Sequence, residues 1–166
     1  MAKKKTTVTN AMRMLSSKKI PFEAFEYEAD EIGDGFGSKI CRELGTPPEK
    51  TFKTLVGIGD KTGPVVAVIP VDEETDLKKL AKASKNKSVS LVHVKDLVAL
   101  TGYARGCVSP LGMKKLFPTY VNISAENSDV IYISGGMCGL TLKLSPGDLI
   151  KVVNGEFADI IMNTEN

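Results

Sequence analysis

The residues best suited to chemistry lie in one run near the middle of the chain, GYARGCVSPLGMKK at residues 102–115. Glycine adopts backbone conformations that other residues avoid, and proline fixes one dihedral angle, so this run is poorly suited to a helix or a strand. A loop of this composition can present free N–H groups to a ligand. We predict that this segment, called the glycine loop below, forms part of a binding or catalytic site.

Conventional side-chain nucleophiles find little support in the sequence. A serine hydrolase needs a nucleophile, a base and an orienting acid; Ser109 and Ser134 are available, but His93 is the only histidine. His93 falls in a short alternating strand, which favours a packed or half-exposed side chain over a catalytic one. Cys107 and Cys138 lack a base for the same reason, and both are typical of small packed residues beside glycines.

Metal and nucleotide motifs are equally weak. The three cysteines, at positions 41, 107 and 138, form no CxxC pair and have no ligand-like spacing, so we expect no metal site. The sequence has no Walker-type Gly-Lys-Thr motif. Gly135-Gly136 has neither the spacing nor the following acidic residue of a dinucleotide-binding fold, and we therefore expect no cofactor.

One lysine stands in an otherwise apolar strand. Lys53 lies in the predicted strand 51–58, where alternation can aim its side chain either into a pocket or into water. From these residues alone, an exposed strand lysine is the favoured interpretation, and a functional lysine is the alternative.

Composition and charge are those of an ordinary globular protein. With 166 residues, 42% hydrophobic and 25% charged, we expect one domain over residues 1–166. The net charge of +2 is too small for a nucleic-acid coat, and the six lysines of residues 78–95 favour a solvated helix face over a phosphate-binding surface. Because no stretch is long and apolar enough for a membrane span or a signal core, we expect a cytoplasmic protein with reduced thiols and no membrane association.

The elements that must position these residues are hairpins and short helices. Helices are predicted at residues 10–19, 36–44, 72–84 and 146–153, with another short one that Asp96 caps and Gly102 ends. Strands are predicted at residues 22–28, 51–58, 64–70, 89–94, 119–123, 130–134 and 140–144. Hairpins dominate over strand-helix-strand units, which predicts an α/β protein of the α+β type with a mixed, mostly antiparallel sheet and flanking helices.

Three motifs, in this order, resemble those of the YbaK/EbsC family. They are TFKTLV at residues 51–56, the glycine loop, and ISGGMCGL at residues 133–140 followed by Leu-Ser-Pro. The resemblance runs from Tyr27 to about Asp159 and is closest to the Cys-tRNA(Pro) deacylase branch. It implies a barrel-like sheet related to the editing insertion domain of prolyl-tRNA synthetases. It also implies hydrolysis of the ester that joins cysteine to tRNA(Pro), with Cys-tRNA(Cys) as a further substrate.

The resemblance implies a set of site residues. Catalytic positions would be Lys53, as the principal functional side chain, together with Gly106 and Ser134. The substrate pocket would be lined by Tyr27, Phe36, Ser109, Pro110, Gly135, Gly136 and Thr141, and tRNA would be contacted by Lys114 and Lys115. From the resemblance we expect an acidic residue where this chain has Thr141 and a Lys-Arg type of pair where it has Met137-Cys138, so the pocket polarity is expected to differ.

In the mechanism that the resemblance implies, the substrate supplies its own nucleophile. The cysteinyl thiol attacks the ester carbonyl, while N–H groups around Gly106 and the Gly135-Gly136 turn stabilise the oxyanion and Lys53 binds the terminal ribose or phosphate. Selectivity for tRNA(Pro) would come from the chain itself or from a transient complex with prolyl-tRNA synthetase. Two alternatives stay open: an alanine-specific or broad aminoacyl-tRNA(Pro) deacylase that uses water, and a non-catalytic module that binds tRNA or a synthetase.

Overall fold

The computed structural model of the protein describes residues 8–27, 41 and 44–163. Four helices lie wholly within this part of the chain: α1 (Asn10–Ser17), α2 (Leu77–Ser84), α3 (Val94–Thr101) and α4 (Pro146–Val153). The strands are β1 (Glu23–Glu26), β2 (Phe52–Gly59), β3 (Gly63–Pro70), β4 (Val89–Leu91), β5 (Thr119–Asn122), β6 (Ile131–Ser134), β7 (Leu140–Leu144) and β8 (Glu156–Ala158). Most of the helix predicted at 36–44 lies outside the described residues.

The strands form two sheets. The smaller has the order β1-β7-β6 and the larger the order β4-β2-β3-β5-β8. Neighbouring strands run antiparallel, except that β5 runs parallel to both β3 and β8. The predicted mixed, mostly antiparallel architecture is therefore confirmed. The sheets do not close into a barrel, but a parallel bridge between Thr51 and Tyr132 joins the start of β2 to β6.

The main hydrophobic core lies between the two sheets. Its buried side chains come from the inner face of each sheet and from α1 and α4, and include Phe52, Val68, Ile133, Leu142, Leu15 and Leu149. A second cluster covers the opposite face of the larger sheet, where α2 packs Leu80 and Ala81 against Val65, Ala67 and Ile69. Successive side chains of β2 and β3 therefore point alternately into the main core and away from it.

Capping residues set most of the helix boundaries. Thr9 accepts a hydrogen bond from the Met12 N–H at 3.2 Å and starts α1. Asp76 accepts from two N–H groups in the first turn of α2, so this helix begins at Leu77 rather than at the predicted Asp72. The prediction that Asp96 caps α3 is wrong, because the helix begins two residues earlier and Asp96 lies in its first turn.

The C-terminal strand β8 escaped prediction. It has three residues, too few for an alternating pattern to be recognised, and it exists because it pairs in parallel with β5. Its position depends on tertiary packing rather than on local sequence. Within the described ranges, none of the helices is both long and apolar enough to cross a membrane.

Candidate functional site

One face of the smaller sheet collects predicted site residues from adjacent strands. In β6, Ile133 points into the main core, so the next residue, Ser134, lies on the opposite face. Ser134 pairs with Thr141 of β7, and Thr141 pairs with Phe25 of β1. Tyr27 follows Phe25 by two residues and therefore shares this face. We call this surface the outer face of the smaller sheet.

Tyr27 and Thr141 are neighbours on this outer face. The Tyr27 N–H donates to the Gly139 carbonyl at 2.9 Å, which continues the pairing of β1 with β7 beyond the end of the strand. Burial raises the pKa of Tyr27 above its ordinary value, although the polar Gly139 backbone and Thr141 side chain beside it oppose this rise. Tyr27 is therefore a neutral phenol at physiological pH, beside a threonine that is only 1% exposed.

The bridge between the sheets brings Lys53 to the same region. Thr51 pairs with Tyr132, and two residues further along each parallel strand stand Lys53 and Ser134. Since alternate residues of a strand share a face, both side chains lie on the side that points away from the main core. Lys53 is half-buried and has no carboxylate within ion-pair distance among the described residues.

The glycine loop is fastened to the β6–β7 turn by two kinds of bond. Cys107 and Cys138, whose Cα atoms are 5.0 Å apart, form a disulfide. The Ser134 hydroxyl donates to the Cys107 carbonyl at 3.0 Å and accepts from the Gly136 N–H at 3.1 Å. The prediction of reduced thiols is therefore wrong for this pair. That prediction was based on the expected cellular compartment. No local sequence pattern shows that two cysteines 31 residues apart meet in space.

Backbone conformation explains two of the glycines at this junction. Gly106 has a φ angle of 82° and Gly136 one of 93°, in the region that side chains with a Cβ atom rarely adopt. A Cβ atom on Gly136 would also lie 2.8 Å from the ring of Tyr103. The turn can approach Tyr103 of the glycine loop this closely because Gly136 lacks a side chain.

The backbone N–H groups of the glycine loop and of the β6–β7 turn differ in whether they already form hydrogen bonds. Gly135 and Gly136 donate theirs within the turn, to a strand carbonyl at 2.9 Å and to a serine hydroxyl at 3.1 Å. Gly106, Val108 and Ser109, in contrast, donate their N–H groups to no other residue in the described part of the chain. Unused donors are the ones that can stabilise an oxyanion. The glycine loop is thus the better candidate for that role than the turn.

Other predicted residues have structural positions. Ser109 is fully buried, and its hydroxyl accepts from the Leu111 N–H at 3.2 Å, which stabilises the loop from within. Pro110 is buried beside it. Lys114 and Lys115 are exposed at the end of the loop. Phe36 lies outside the described residues.

Tyr103 is a residue of this region that the sequence analysis missed. Its hydroxyl donates to the Leu111 carbonyl at 2.6 Å, and its ring packs over Gly136. Burial raises the pKa of Tyr103 to about 12. Tyr103 therefore braces the glycine loop against the β6–β7 turn. The sequence feature that could have indicated this role is an aromatic residue inside a glycine-rich run, because a large apolar ring in such a loop is expected to pack against a neighbouring segment.

Comparison with known proteins assigns the family. Residues 37–152 match the family model described as the aminoacyl-tRNA editing domain. The chain belongs to this editing-domain family. A relative from Enterococcus faecalis (strain ATCC 700802 / V583) is 49% identical over 162 residues, which cover 96% of this chain and 98% of the relative. That editing-domain protein has the provisional name Cys-tRNA(Pro)/Cys-tRNA(Cys) deacylase EbsC. The resemblance stated from the sequence is confirmed.

Solved structures show the same fold at low identity. One, described provisionally as a trans-editing enzyme for prolyl tRNA synthetase, has a TM-score of 0.82 and 19% identity, covering 93% of this chain and 96% of that chain. Another, of a hypothetical protein, also has a TM-score of 0.82 and 19% identity, covering 93% of this chain and 100% of that one. The mixed α/β architecture is thus that of editing domains.

Proposed function

We propose that this protein is a trans-editing aminoacyl-tRNA deacylase that releases cysteine from mischarged Cys-tRNA(Pro). The enzyme class is supported by membership of the editing-domain family, and the cysteine and tRNA(Pro) are supported by the name of the relative that is 49% identical. The same name supports Cys-tRNA(Cys) as a further substrate. A single-domain enzyme acting in the cytoplasm, where charged tRNA is used, is part of this proposal.

The observation that carries the proposal is the junction made by Ser134. Its 3.0 Å hydrogen bond to the Cys107 carbonyl holds the glycine loop, with its unused N–H groups, against β6, the strand that the Thr51–Tyr132 bridge joins to the start of β2. Oxyanion donors, together with a lysine that forms no ion pair with the described residues, suit an ester of RNA. His93, the only imidazole of the sequence, is exposed and is the N-cap residue of α3, two residues after the end of β4. If the substrate supplies the nucleophile, the protein needs neither a nucleophilic side chain nor a histidine to activate it.

In the proposed reaction, the sulfur of the cysteinyl group attacks the carbonyl carbon of its own ester. The carbonyl electrons move onto oxygen, where the N–H groups of Gly106, Val108 and Ser109 stabilise the charge. Collapse of this intermediate breaks the bond to the ribose oxygen, which takes up the thiol proton. Water then opens the resulting cyclic thioester to give free cysteine. Orientation of the thiol and stabilisation of the oxyanion are the contributions of the protein.

Lys53 and the outer face have separate roles in this proposal. The Lys53 ammonium group binds the terminal ribose or phosphate of the tRNA and so fixes the position of the ester. Tyr27 and Thr141 form a polar wall of the pocket, with the neutral Tyr27 hydroxyl as a donor or acceptor for the substrate. Neither side chain is a carboxylate, so this wall is polar and uncharged.

A deacylation assay across charged tRNAs tests the proposal. We expect wild-type protein to release cysteine from Cys-tRNA(Pro) faster than alanine or serine from the matching Ala- and Ser-tRNA(Pro). Lys53→Ala should lower kcat/KM on the order of 100-fold, and Lys53→Arg should retain part of the wild-type activity. Lys61→Ala, in the exposed β2–β3 turn, is the matched control. Equal release from all three tRNAs would favour the broad, water-dependent deacylase. No release from any of them would reject the enzyme.

Selectivity for tRNA(Pro) is proposed to come from a transient complex with prolyl-tRNA synthetase. The support is the neighbour described as a trans-editing enzyme for that synthetase, which shares the fold. We expect the protein alone to deacylate Cys-tRNA(Pro) and Cys-tRNA(Cys) at similar rates, and added synthetase to favour the former. A strong preference without synthetase would show that the selectivity is intrinsic.

A further inference from the structure

A second concave surface lies behind Tyr103. It is a cleft of about 750 Å³ between α1 and the two ends of the glycine loop, and its walls include Arg13, Met14, Met113 and Lys114. Tyr103 also lines this cleft, while its ring packs over Gly136 of the candidate site. The cleft and the proposed aminoacyl pocket are therefore separated by the thickness of one aromatic side chain.

The walls of the cleft are held in place by direct backbone contact. Gly112 has a φ angle of 73°, and a Cβ atom there would lie 2.7 Å from the carbonyl carbon of Asn10. The Gly112 N–H points at the Met14 sulfur at 3.2 Å. The glycine loop thus rests on the first turn of α1 with no intervening side chain, so the cleft exists before any ligand arrives.

Two cationic side chains, those of Arg13 and Lys114, line this cleft. The Arg13 guanidinium donates to the Asn10 side-chain oxygen at 3.0 Å, and the Lys114 ammonium donates to the Ala99 carbonyl at 3.2 Å. Both acceptors are neutral, and neither cation has an ion-pair partner in the part of the chain that the structure describes. The segments that build the walls contain no aspartate or glutamate between residues 8 and 22 or between 97 and 125.

We infer that this cleft binds the acceptor strand of the tRNA, with Arg13 and Lys114 as ligands of successive phosphates. The inference rests on the proposed function, because it identifies where the RNA lies when its ester occupies the neighbouring pocket. Cations that form no ion pair with the described residues attract a polyanion, and the apolar surfaces of Met14 and Met113 in the same cleft suit a ribose or a base. A strand leaving the pocket past Tyr103 enters this cleft.

Binding of an uncharged RNA tests the inference without any hydrolysis. The probe is a fluorescent acceptor-stem minihelix with a single-stranded 3′ end, titrated at several salt concentrations. Arg13→Gln and Lys114→Gln should each weaken binding several-fold and reduce the slope of log K against log salt by roughly 0.7 to 0.9. Arg13→Lys should retain most of the affinity. Lys82→Gln, which removes an exposed lysine of α2, is the control and should bind as wild type does.

Kinetics separate this inference from the proposed function. In deacylation, Arg13→Gln should raise KM by a larger factor than it lowers kcat, because in this proposal Arg13 contacts the RNA strand and not the ester. Unchanged minihelix affinity and salt slope in both variants would overturn the cleft as an RNA site, whatever the enzyme does. If wild-type protein hydrolysed no charged tRNA while the variants still lost affinity for the minihelix, the proposed function would fail and the RNA site would stand.

Discussion

The Ser134 hydroxyl donates a hydrogen bond to the Cys107 carbonyl at 3.0 Å, across 27 residues of sequence. The same oxygen accepts the Gly136 N–H, so it is engaged both as donor and as acceptor. A hydroxyl used in this way is a poor nucleophile and a good anchor. Ser134 is thus a positioning residue that aligns the glycine loop with the outer face of the smaller sheet.

Removal of this anchor should affect both stability and activity. Ser134→Ala should lower the free energy of unfolding by about 1–2 kcal/mol, because two hydrogen bonds at a half-buried site are lost. Displacement of the loop should also lower kcat, since a misplacement of about 1 Å can cost on the order of 100-fold. Urea unfolding and single-turnover deacylation measure these effects, with exposed Ser90→Ala as the control. A variant that matches Ser90→Ala in both assays would contradict the anchoring role.

The contact between Gly136 and Tyr103 predicts a second effect. Gly136→Ala should destabilise the protein by about 1–3 kcal/mol, because its φ angle of 93° is strained for alanine and the added carbon meets an aromatic ring at 2.8 Å. Gly147→Ala in α4 is the matched control, since its added carbon meets only the Ser145 hydroxyl at 3.7 Å. Thermal unfolding of both variants checks this, and equal stability would refute it.

The cross-link between the glycine loop and the turn predicts sensitivity to reductant. Loop-closure entropy for a separation of 31 residues gives a stabilisation of about 3–4 kcal/mol, which dithiothreitol should remove. The double variant Cys107→Ala, Cys138→Ala should unfold identically with and without reductant. Thiol titration of the native, non-reduced protein should detect Cys41 alone. Three reactive thiols under non-reducing conditions would show that the bond does not form.

Tyr103 predicts a change in stability at alkaline pH. Its pKa in the folded protein is raised to about 12, above the ordinary value of 10.0 for tyrosine. Because the folded state holds the proton more tightly, this contribution to stability is fully present below about pH 10 and is lost as the pH rises to about 12. Tyr103→Phe should flatten the unfolding free energy between these pH values. An unchanged pH profile would exclude Tyr103 as the source.

Local patterns predicted the elements, and long-range packing decided the site. The β2–β3 hairpin and β7 were predicted within a residue because alternation and turn residues agree there. The Thr51–Tyr132 bridge and the Cys107–Cys138 bond were not predicted, because each joins segments that no local sequence pattern connects. The roles assigned to Lys53 and Tyr27 came from the family resemblance and remain predictions, although the strand register brings both to one region.

The disulfide has a topological consequence for the site. The bond and the chain between its two cysteines, which are 31 positions apart, form a covalent ring that contains all of β5 and β6. A single peptide-bond cleavage anywhere inside this ring opens it without separating the chain into two molecules. The two walls of the proposed pocket would therefore travel together on a denaturing, non-reducing gel, and part only when the sulfur bridge is reduced.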